Sequence, residues 1–537
     1  MNTKVRGSVA GKYDTVAKMK AGSFVLGQQV ETKGYTSAGD GGGAKYLAEA
    51  LGTPDGDGDH ATGDGNFQLT LIKVCPVNVR KYGATGGDEA VDSAAFQACM
   101  TANLHVFAPT PTTPYILSNI LPNRGQVIEG DTKYDGGAGT TSNIIGNGTD
   151  PVFLCGDGGV TALREITFRN LNADGNTQEV VKGRFSPNMG IYNCYFKTAS
   201  ATKNTIDLEN CFRSYILFNR LSCSGGGWAV QGYQDFNGCS VDMNTISGGA
   251  LGGAINLGIS TGSSASRNTI ETSLKGIFIS ANSDAGNGNA NGITIDANYI
   301  EDCSAPFSFG EQFTVQGLVG SANYVGNTNL TLAADSVVKW GRVKQSRFTN
   351  NSFHVNAAED VYDLVLNQAT GDQEDNYFGG DTIFGTPANL YVLSGTQAAS
   401  GSVQKTVGWQ NYYPFVSDLS TREPVVFESG TITADVGLTA FFAFNDFNPL
   451  GLGGKIIKVE VFEKSGTITS TLSAGRSGNG SEIISVDPET LSYVNGRADV
   501  TLITETATLR STEDAVYRVT AGVGTGTFRV RITYRVT

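Results

Sequence analysis

One short phrase recurs at nearly constant spacing through the middle of the chain and constrains its fold more than any other feature. An asparagine followed two residues later by an apolar residue occurs at Asn193, Asn219, Asn244, Asn268, Asn298, Asn323 and Asn376, and a slightly altered copy begins at Asn350. The successive intervals are 26, 25, 24, 30, 25, 27 and 26 residues. Such a period indicates a repeat architecture, in which each repeat buries its apolar face against its neighbours.

Short alternating runs between the asparagines have the period of β-strands. Examples are GITID at 292–296, KGIFIS at 275–280 and TIDLEN at 205–210. About 25 residues accommodate three short strands and three turns, which is one coil of a parallel β-helix with ~4.8 Å between coils. We expect the asparagines to take the left-handed conformation at a turn and to hydrogen-bond one another along the axis. The apolar residue two positions later should face the core.

The segments that flank the repeats have different patterns. Residues 1–76 are loop-rich around short strands and predict a small separate module. From residue 416 to 537 the asparagine cadence stops, and alternating runs separated by Gly, Ser or Asn predict an antiparallel β-sandwich. The predicted fold class is therefore all-β, with a right-handed parallel β-helix over 77–415 between an N-terminal module and a C-terminal sandwich.

A helix is predicted where the solenoid begins. Residues 77–110 indicate strand, loop, helix and strand, and either Asp88 or Asp92 can cap the helix. Its apolar face is predicted to consist of Val91, Ala95, Phe96 and Cys99. Because the open end of a solenoid must be covered, we expect this helix to cap it.

Composition narrows the classes of partner. The net charge of −13 makes binding to nucleic acids or anionic membranes unfavourable. There is no run of 18 apolar residues and no basic start followed by an apolar stretch, so we expect no membrane insertion and no secretory signal, and folding in a cytoplasm. The eight cysteines include no C-x-x-C pair and are expected to be buried free thiols.

Acidic residues recur beside the asparagines. In successive repeats, the third position after the asparagine holds Ser222, Ser247, Glu271, Glu301 and Gly326. The second position before it holds Asp242, Ser266, Asp296 and Ser321. Because each lies next to an inward apolar residue, strand alternation turns these side chains outward. One patch should therefore hold the candidate catalytic carboxylates Asp242, Glu271, Asp296 and Glu301, unless each is an ordinary solvated turn residue.

Paired carboxylates are the chemistry of glycoside hydrolysis. One protonated acid protonates the leaving oxygen, and one carboxylate acts as base or nucleophile. Closely spaced acids supply this asymmetry because like charges raise the pKa of one partner. Residues on adjacent or next-adjacent coils permit either the retaining gap of about 5.5 Å or the inverting gap of roughly 6.5–9.5 Å.

Aromatic residues near these acids suit a glycan groove, because sugar rings stack on aromatic faces. The Gly-rich segment at 225–238 carries Trp228 and Tyr233 together with Asp235, whereas Phe236 is expected in the core. Tyr299 should project outward beside Ile300. The candidate substrate-binding residues are Trp228, Tyr233, Asp235, Arg267, Tyr299 and Asp302.

Other chemistries have less support. DGDGDH at 55–60 resembles the start of a calcium loop, but its twelfth position is Asn66 instead of glutamate. Three histidines leave little material for a zinc site or a histidine-based triad. The GDGGG phrase lacks the strand and helix of a dinucleotide loop. We expect no metal and no cofactor.

The whole layout resembles bacteriophage tailspike proteins of the pectate-lyase-like class. The resemblance is carried by GYTSAGDGGGAKY in the N-terminal module, VNVRKYGATGGDEAVDSAAFQACM at the solenoid entry, the repeat region and the terminal sandwich. It implies a homotrimer on the virion whose N-terminal module binds other phage tail or baseplate proteins. It also implies a β-helix that binds and usually cleaves a bacterial surface polysaccharide, with a C-terminal domain for trimer assembly or glycan contact.

The resulting expectation is a tailspike, synthesised in the host cytoplasm, that hydrolyses an O-antigen or capsule. The resemblance favours an inverting glycosidase with a water between the two carboxylates. Two alternatives stay open: a polysaccharide lyase that removes the proton beside a uronate, and an adhesin that grips the glycan without cleaving it.

Overall fold

The computed structural model describes residues 9–52, 58–131, 142–156, 164–280, 289–310, 313–326, 336–355 and 359–365, and shorter segments from 373 to 536. These residues form two compact units. The first comprises the described residues up to Ser308 together with 323–326. The second comprises those from Phe309 to Ala322 and from 336 onward.

The N-terminal module of the first unit contains one five-stranded sheet and a short helix, Val16–Lys20. In spatial order the strands are Val9–Tyr13, Gln29–Thr32, Lys45–Ala50, Phe67–Leu71 and His60–Ala61. The first pair is parallel and the others are antiparallel. Alternation in Lys45–Ala50 buries Tyr46 and Ala48 between exposed or half-buried neighbours.

The predicted helix is confirmed at the start of the solenoid as Glu89–Ala102. A 3-10 turn, Val79–Tyr82, precedes it where a loop was predicted. Asp88 is the N-cap and accepts a hydrogen bond from the N–H of Val91. Asp92 is buried and instead accepts hydrogen bonds from three backbone N–H groups. Val91 is exposed, so its predicted place on the apolar face is wrong, and Met100 is buried there instead.

The solenoid of the first unit is built from three parallel sheets. The first sheet contains Val77–Asn78, His105–Ala108, Val127–Gly130, Thr167–Arg169, Gly190–Tyr192, Tyr215–Leu217, Ser240–Asp242, Ser264–Ser266 and Thr294–Asp296. The second contains Tyr115–Leu117, Ile144–Gly146, Asn172–Asp174, Tyr195–Thr198, Arg220–Cys223, the opening residues of Thr245–Asn256, Thr269–Ile279 and Tyr299–Phe309, and Tyr324–Gly326. The third contains Phe153–Cys155, Val181–Arg184, Ile206–Glu209, Trp228–Tyr233 and the closing residues of Thr245–Asn256 and Thr269–Ile279. A short strand, Ala290–Asn291, lies outside these three sheets.

Vertical columns of apolar side chains fill the core between the sheets. In the second sheet, the paired residues Phe196, Leu221, Ile246 and Ile270 are all fully buried. In the first sheet, the column Ile191, Ile216, Val241 and Ala265 is buried in the same way. The parallel β-helix and its inward apolar position are therefore confirmed.

The recurring asparagines form a buried column where the first sheet turns into the second. Asn219, Asn244, Asn268, Asn298 and Asn323 are each 1–2% exposed. In each of the first four, the side-chain amide donates to the Oδ1 of the next asparagine at 2.9–3.1 Å, and the backbone N–H donates to the same oxygen. The predicted hydrogen bonding along the axis is confirmed.

The left-handed conformation belongs to a different residue than predicted. The residue before each asparagine has a positive φ, and these residues are Phe218, Met243, Arg267, Ala297 and Ala322. The asparagines themselves are buried and amide-paired, so the preceding, outward residue makes the tight turn. A strained backbone at bulky residues such as Phe218 is tolerated because the column fixes the turn around it.

Three copies of the phrase do not belong to this column. One is Asn350, which is itself left-handed, whereas the next residue, Asn351, is buried and donates to Asp381. Asn193 is itself left-handed, and the N–H of Cys194 donates to Asn219 Oδ1 in its place. Asn376 lies at another corner of the second unit, where its Oδ1 accepts from the N–H of Ser346. Asn193 stands one residue before the column position and Asn376 stands at another corner, so the phrase alone does not fix which position of which corner an asparagine takes.

The second unit has its own parallel coils and two antiparallel sheets. Its parallel strands are Val315–Gln316, Val319–Ser321, Ser336–Trp340, Val343–Lys344, Arg347–Thr349, Ser352–Val355, Asp360–Val365, Gln373–Glu374, Tyr377–Gly379, Thr382–Gly385, Asn389–Ser394, Val403–Gln404 and Val407–Gly408. The antiparallel strands are Val425–Glu428, Ile432–Thr433, Gly454–Ser465, Leu472–Arg476, Ile484–Val486, Arg497–Val500, Thr508–Leu509, Ala515–Val519 and Thr527–Val536. The predicted change to antiparallel pairing is confirmed, whereas the domain boundaries at 76 and 415 stay predictions.

The cysteines are free thiols, and all except Cys75 are buried. No helix in the described parts of the chain is long and apolar enough to cross a membrane.

Candidate functional site

Glu271 and Glu301 lie on adjacent rungs of the second sheet. Glu271 pairs with Ser247 on the rung before it, and Glu301 pairs with Gly326 on the rung after it. The N–H of Tyr299 donates to the carbonyl of Asn268 at 2.8 Å, which repeats the bond from Thr269 to Asn244 one rung earlier. This common step aligns Glu301 with Glu271. Glu271 is exposed and Glu301 half-buried, so both carboxylates face away from the apolar core.

Two stacked tyrosine rings flank Glu301. The rings of Tyr299 and Tyr324 are 5.1 Å apart and inclined by 9°. The Tyr299 hydroxyl donates to Glu301 Oε2 at 2.7 Å, and this bond to a carboxylate is the main reason that the pKa of Tyr299 rises to about 12. The charges of Glu301 and, to a smaller extent, Glu271 also raise the pKa of Tyr299.

A glycine on the next rung makes room for the second ring. A Cβ atom at Gly326 would lie 2.8 Å from Cε1 of Tyr324, so the tyrosine ring covers this position. Gly326 is the residue paired with Glu301 on the next rung, and it has no side chain. The Tyr324 ring therefore occupies the place beside Glu301 that a side chain would take. The arrangement puts an aromatic surface, 37% exposed at Tyr299, directly beside two carboxylates.

Asp242 differs from the prediction. It is 8% exposed, and its carboxylate accepts hydrogen bonds from the Ser264 hydroxyl and from the N–H of Ser266 on the next rung. Burial raises the pKa of Asp242, and the charge of Arg267 partly offsets that rise. Because Ser264 and Ser266 on the following rung are small, the Asp242 carboxylate packs against the sheet. The expectation that Asp242 belongs to an open patch of four acids is therefore wrong.

Asp296 is half-buried and lies on the first sheet, on the other side of the asparagine corner from Glu301. Arg267 is exposed at that corner, where its N–H donates to the carbonyl of Asp296. Asp302 directly follows Glu301, is exposed, and has a left-handed backbone where the long strand bends. Asp302 therefore shares the strand of Glu301, Arg267 lies at the adjoining corner, and Asp296 lies on the other sheet.

Trp228 opens the strand Trp228–Tyr233 of the third sheet. It pairs with Gly253, which pairs in turn with Lys275. The indole lies over the glycine, where a Cβ atom would be 2.2 Å from Cε3 of the ring. The Lys275 Nζ is 5.6 Å from the ring centroid. Trp228 is half-buried with a cation beside it, on a different sheet from Glu271 and Glu301.

Tyr233 and Asp235 are also on the side of the third sheet. The Tyr233 ring lies 5.1 Å from the guanidinium carbon of Arg184. Asp235 is exposed in the turn that follows, and Phe236 is fully buried, as predicted. The predicted substrate-binding set is therefore divided between two sheets, with Arg267, Tyr299 and Asp302 near the glutamate pair.

The sequence analysis missed a charged network around Arg184. Its Nη2 donates to Asp207 at 3.0 Å and its Nε to Glu209 at 2.7 Å. Burial raises the pKa of Asp207, against the opposing effect of the Arg184 charge. The available signal was the outward alternation of VKGR at 181–184 and IDLE at 206–209, which carry opposite charges one coil apart. The sequence analysis compared only positions next to the recurring asparagines, and these two strands lie far from them in each repeat.

Among the described residues, no group of three or more His, Cys, Asp or Glu side chains could hold a metal ion. Part of the DGDGDH segment, residues 55–57, lies outside the described residues.

The fold and the site together define a parallel β-solenoid with an outward carboxylate pair. No protein-family model matches the sequence, and no curated protein matches it. Among solved structures, the chain is similar to a tailspike protein of Acinetobacter baumannii bacteriophage Fri1, a capsular polysaccharide depolymerase, with 11% identity and a TM-score of 0.44 over 98% of this chain and 100% of that one. It is similar to the tailspike protein of Acinetobacter phage vB_ApiP_P1, with 12% identity and a TM-score of 0.46 over 99% and 100%. It is also similar to the A-module of an Azotobacter vinelandii mannuronan C-5 epimerase, with 14% identity and a TM-score of 0.39 over 60% and 100%. The fold assignment rests on the strand pairing described above.

Proposed function

We propose that this chain is a phage tailspike that binds and depolymerises a bacterial surface polysaccharide by glycoside hydrolysis at Glu271 and Glu301. The observation that carries the proposal is the placement of these two carboxylates on adjacent rungs of one sheet, beside a stacked tyrosine pair. The two groups that the reaction needs are thereby brought from distant positions in the sequence to one exposed surface.

The two glutamates are in unequal surroundings, which supports different roles. Glu301 is half-buried and held by the Tyr299 hydroxyl, so its orientation is fixed. We assign it as the base that activates water in an inverting reaction. Glu271 is exposed on the neighbouring rung, and we assign it as the acid that protonates the leaving oxygen.

The tyrosine pair is the proposed sugar platform. Sugar rings pack their apolar faces on aromatic rings, and Tyr299 and Tyr324 present parallel rings next to the catalytic pair. Arg267 and Asp302 border the same region and supply polar groups for hydroxyls. In this proposal Asp242 is not catalytic, because its carboxylate is buried and accepts bonds from Ser264 and Ser266.

The resemblance of the entry and N-terminal segments to tailspikes supports the remaining parts of the proposal. The protein would be a virion component and a homotrimer, with residues 1–76 bound to other phage tail or baseplate proteins. The C-terminal antiparallel sheets would assist trimer assembly or glycan contact.

The test is to incubate the full chain with surface polysaccharide from the host and to analyse the products by mass spectrometry and ultraviolet absorbance. Hydrolysis predicts shorter chains with new reducing ends and no new ultraviolet absorbance. The combined mass of the two fragments from each cleavage should exceed that of the intact glycan by one water. Unsaturated, ultraviolet-absorbing ends would show a lyase and contradict the assigned chemistry. Glycan that is bound but not shortened would identify an adhesin.

A further inference from the structure

Three side chains with different chemistry lie in line on the opening rungs of the solenoid, several rungs before the glutamate pair. Cys75 Sγ is 3.5 Å from Nδ1 of His105. The other ring nitrogen of His105, Nε2, is 2.9 Å from Oε2 of Glu129. A thiol, an imidazole and a carboxylate in this order have the geometry of a nucleophile, its base and the group that orients the base.

The hydrogen-bond network determines which imidazole nitrogen carries the proton. Glu129 Oε2 accepts from Arg169 Nη2 at 2.8 Å, and that nitrogen is 3.2 Å from His105 Nε2. Although partial burial opposes it, the hydrogen bonds of Arg169 and His105 and the charge of Arg169 lower the pKa of Glu129, which keeps it an acceptor. Arg169 can only donate and Glu129 can only accept, so the two contacts demand opposite roles of Nε2. We assign the hydrogen to Nε2 because Glu129 Oε2, at 2.9 Å, is the nearer partner and Arg169 Nη2 already donates to that oxygen. The lone pair of Nδ1 therefore faces the thiol.

Cys75 is also placed differently from the other cysteines. It is exposed, whereas the other seven are buried, and burial raises the pKa of each of those seven thiols. The preceding residues of Cys75 and His105 are Val74 and Leu104, which are 65% and 66% exposed. A reactive group with apolar neighbours on the surface can contact the acyl chain of an ester.

We propose that Cys75, with His105 and Glu129, is a nucleophilic site that takes an acyl group from a carboxylic ester. The thiol proton moves to Nδ1 of His105 as the sulfur forms a bond to the carbonyl carbon. The ester C–O bond then breaks, and the leaving alkoxide takes the proton from Nδ1 and departs as an alcohol. Water then gives a proton to the same nitrogen as its oxygen bonds to the thioester carbon. The C–S bond breaks, the departing thiolate takes the proton back from Nδ1, and a carboxylic acid is released.

The oriented base favours acyl transfer over disulfide exchange. Exchange between a thiolate and a disulfide needs only the thiolate, whereas acyl transfer uses the imidazole to accept a proton and then to return it to the leaving group. Glu129 holds the ring for both transfers, and Arg169 holds Glu129.

The experiment uses the full chain and p-nitrophenyl acetate near pH 7. Release of p-nitrophenol is followed by absorbance, and the acetyl group is located by peptide mass spectrometry. We expect an acetyl group on Cys75, its loss in Cys75→Ser, and acetylation about a hundredfold slower in His105→Gln. Glu129→Gln should be slowed less, because it keeps a hydrogen-bonding partner for the ring. His354→Gln, which changes a histidine outside this cluster, should match wild type.

Two results would overturn the proposal. One is acetylation of Cys75 in His105→Gln at the wild-type rate. The other is a Cys75 that reacts with a disulfide reagent while the protein neither acquires an acetyl group nor releases p-nitrophenol faster than Cys75→Ser, which would show an ordinary exposed thiol. If His105→Gln does not fold, native and urea-unfolded wild type are compared instead. Acetylation of Cys75 that is no faster in the native protein then contradicts the claim.

Discussion

Replacing Asn268 with leucine tests whether the buried amide column holds adjacent coils together. The Asn268 side chain donates to the carbonyl of Val241 at 2.8 Å and to Asn298 Oδ1 at 3.0 Å. Its Oδ1 accepts from the backbone N–H of Asn244 at 3.0 Å and from the side-chain amide of Asn244 at 3.1 Å. Leucine has a similar size, so it fills the space and excludes a replacement water.

The cost follows from the partners that remain. The N–H of Asn244 loses its acceptor in a buried position, which costs roughly 1–3 kcal/mol. The Asn244 amide still donates to Ile216 and Asn298 Oδ1 still accepts from the Asn268 N–H, so those losses are smaller. Three further bonds are lost, to the Asn244 amide, the Val241 carbonyl and Asn298 Oδ1. At about 0.5–1.5 kcal/mol for each of these, the total cost is roughly 5 kcal/mol.

Hydrogen exchange followed by mass spectrometry measures this cost locally. In Asn268→Leu, the peptide spanning 241–247 should exchange at least about a hundredfold faster, since ~1.4 kcal/mol corresponds to a tenfold change. The control is Asn291→Leu, because Asn291 is outside the column and, within the described part of the chain, its amide donates only a long bond to Asn289. Exchange within threefold of wild type in Asn268→Leu would refute the reasoning.

Three further predictions follow from individual contacts. Burial raises the pKa of Asp381 from 3.8 to about 6, so the folded state retains a proton that the unfolded state has lost, and stability falls as pH rises through that range. Asp381→Asn should therefore raise the melting temperature more at pH 7.5 than at pH 5, and an equal change at both would contradict it. Tyr299→Phe keeps the ring stack but removes the donor to Glu301, so kcat should fall about tenfold with KM nearly unchanged; a raised KM with normal kcat would argue against it. Arg184→Met leaves the buried Asp207 carboxylate unpaired and should destabilise the chain by about 3–5 kcal/mol, as measured by denaturant unfolding, and adding Asp207→Leu should restore most of this loss. No recovery in the double variant would show that the ion pair is not the cause.

The period of the sequence was sufficient to predict the coils, because each repeat places one asparagine and one apolar residue at equivalent steps. Ile270 and Ile300 are fully buried, and Glu271 and Glu301 follow them on the outward side. Alternation along a strand and register between coils are both local rules, so adjacency of the two glutamates was predictable.

Other features of the site could not be predicted, because they depend on residues that the alignment of repeats on their asparagines does not compare. Asp242 is covered because Ser264 and Ser266 on the next rung are small and donate to it. The Arg184 network depends on the pairing of two strands of the third sheet, which the corner alignment did not include. Tyr324 was not identified as a partner of Tyr299, although both directly follow asparagines of the same column.

Turnover by Glu271→Gln and Glu301→Gln on host polysaccharide tests the central claim most directly. Glutamine keeps the shape of each side chain but cannot accept or release the catalytic proton. The account predicts that each substitution lowers turnover at least about a hundredfold while glycan binding and thermal stability stay at wild-type values. Turnover within a few-fold of wild type in both variants would contradict it and move the site away from this pair.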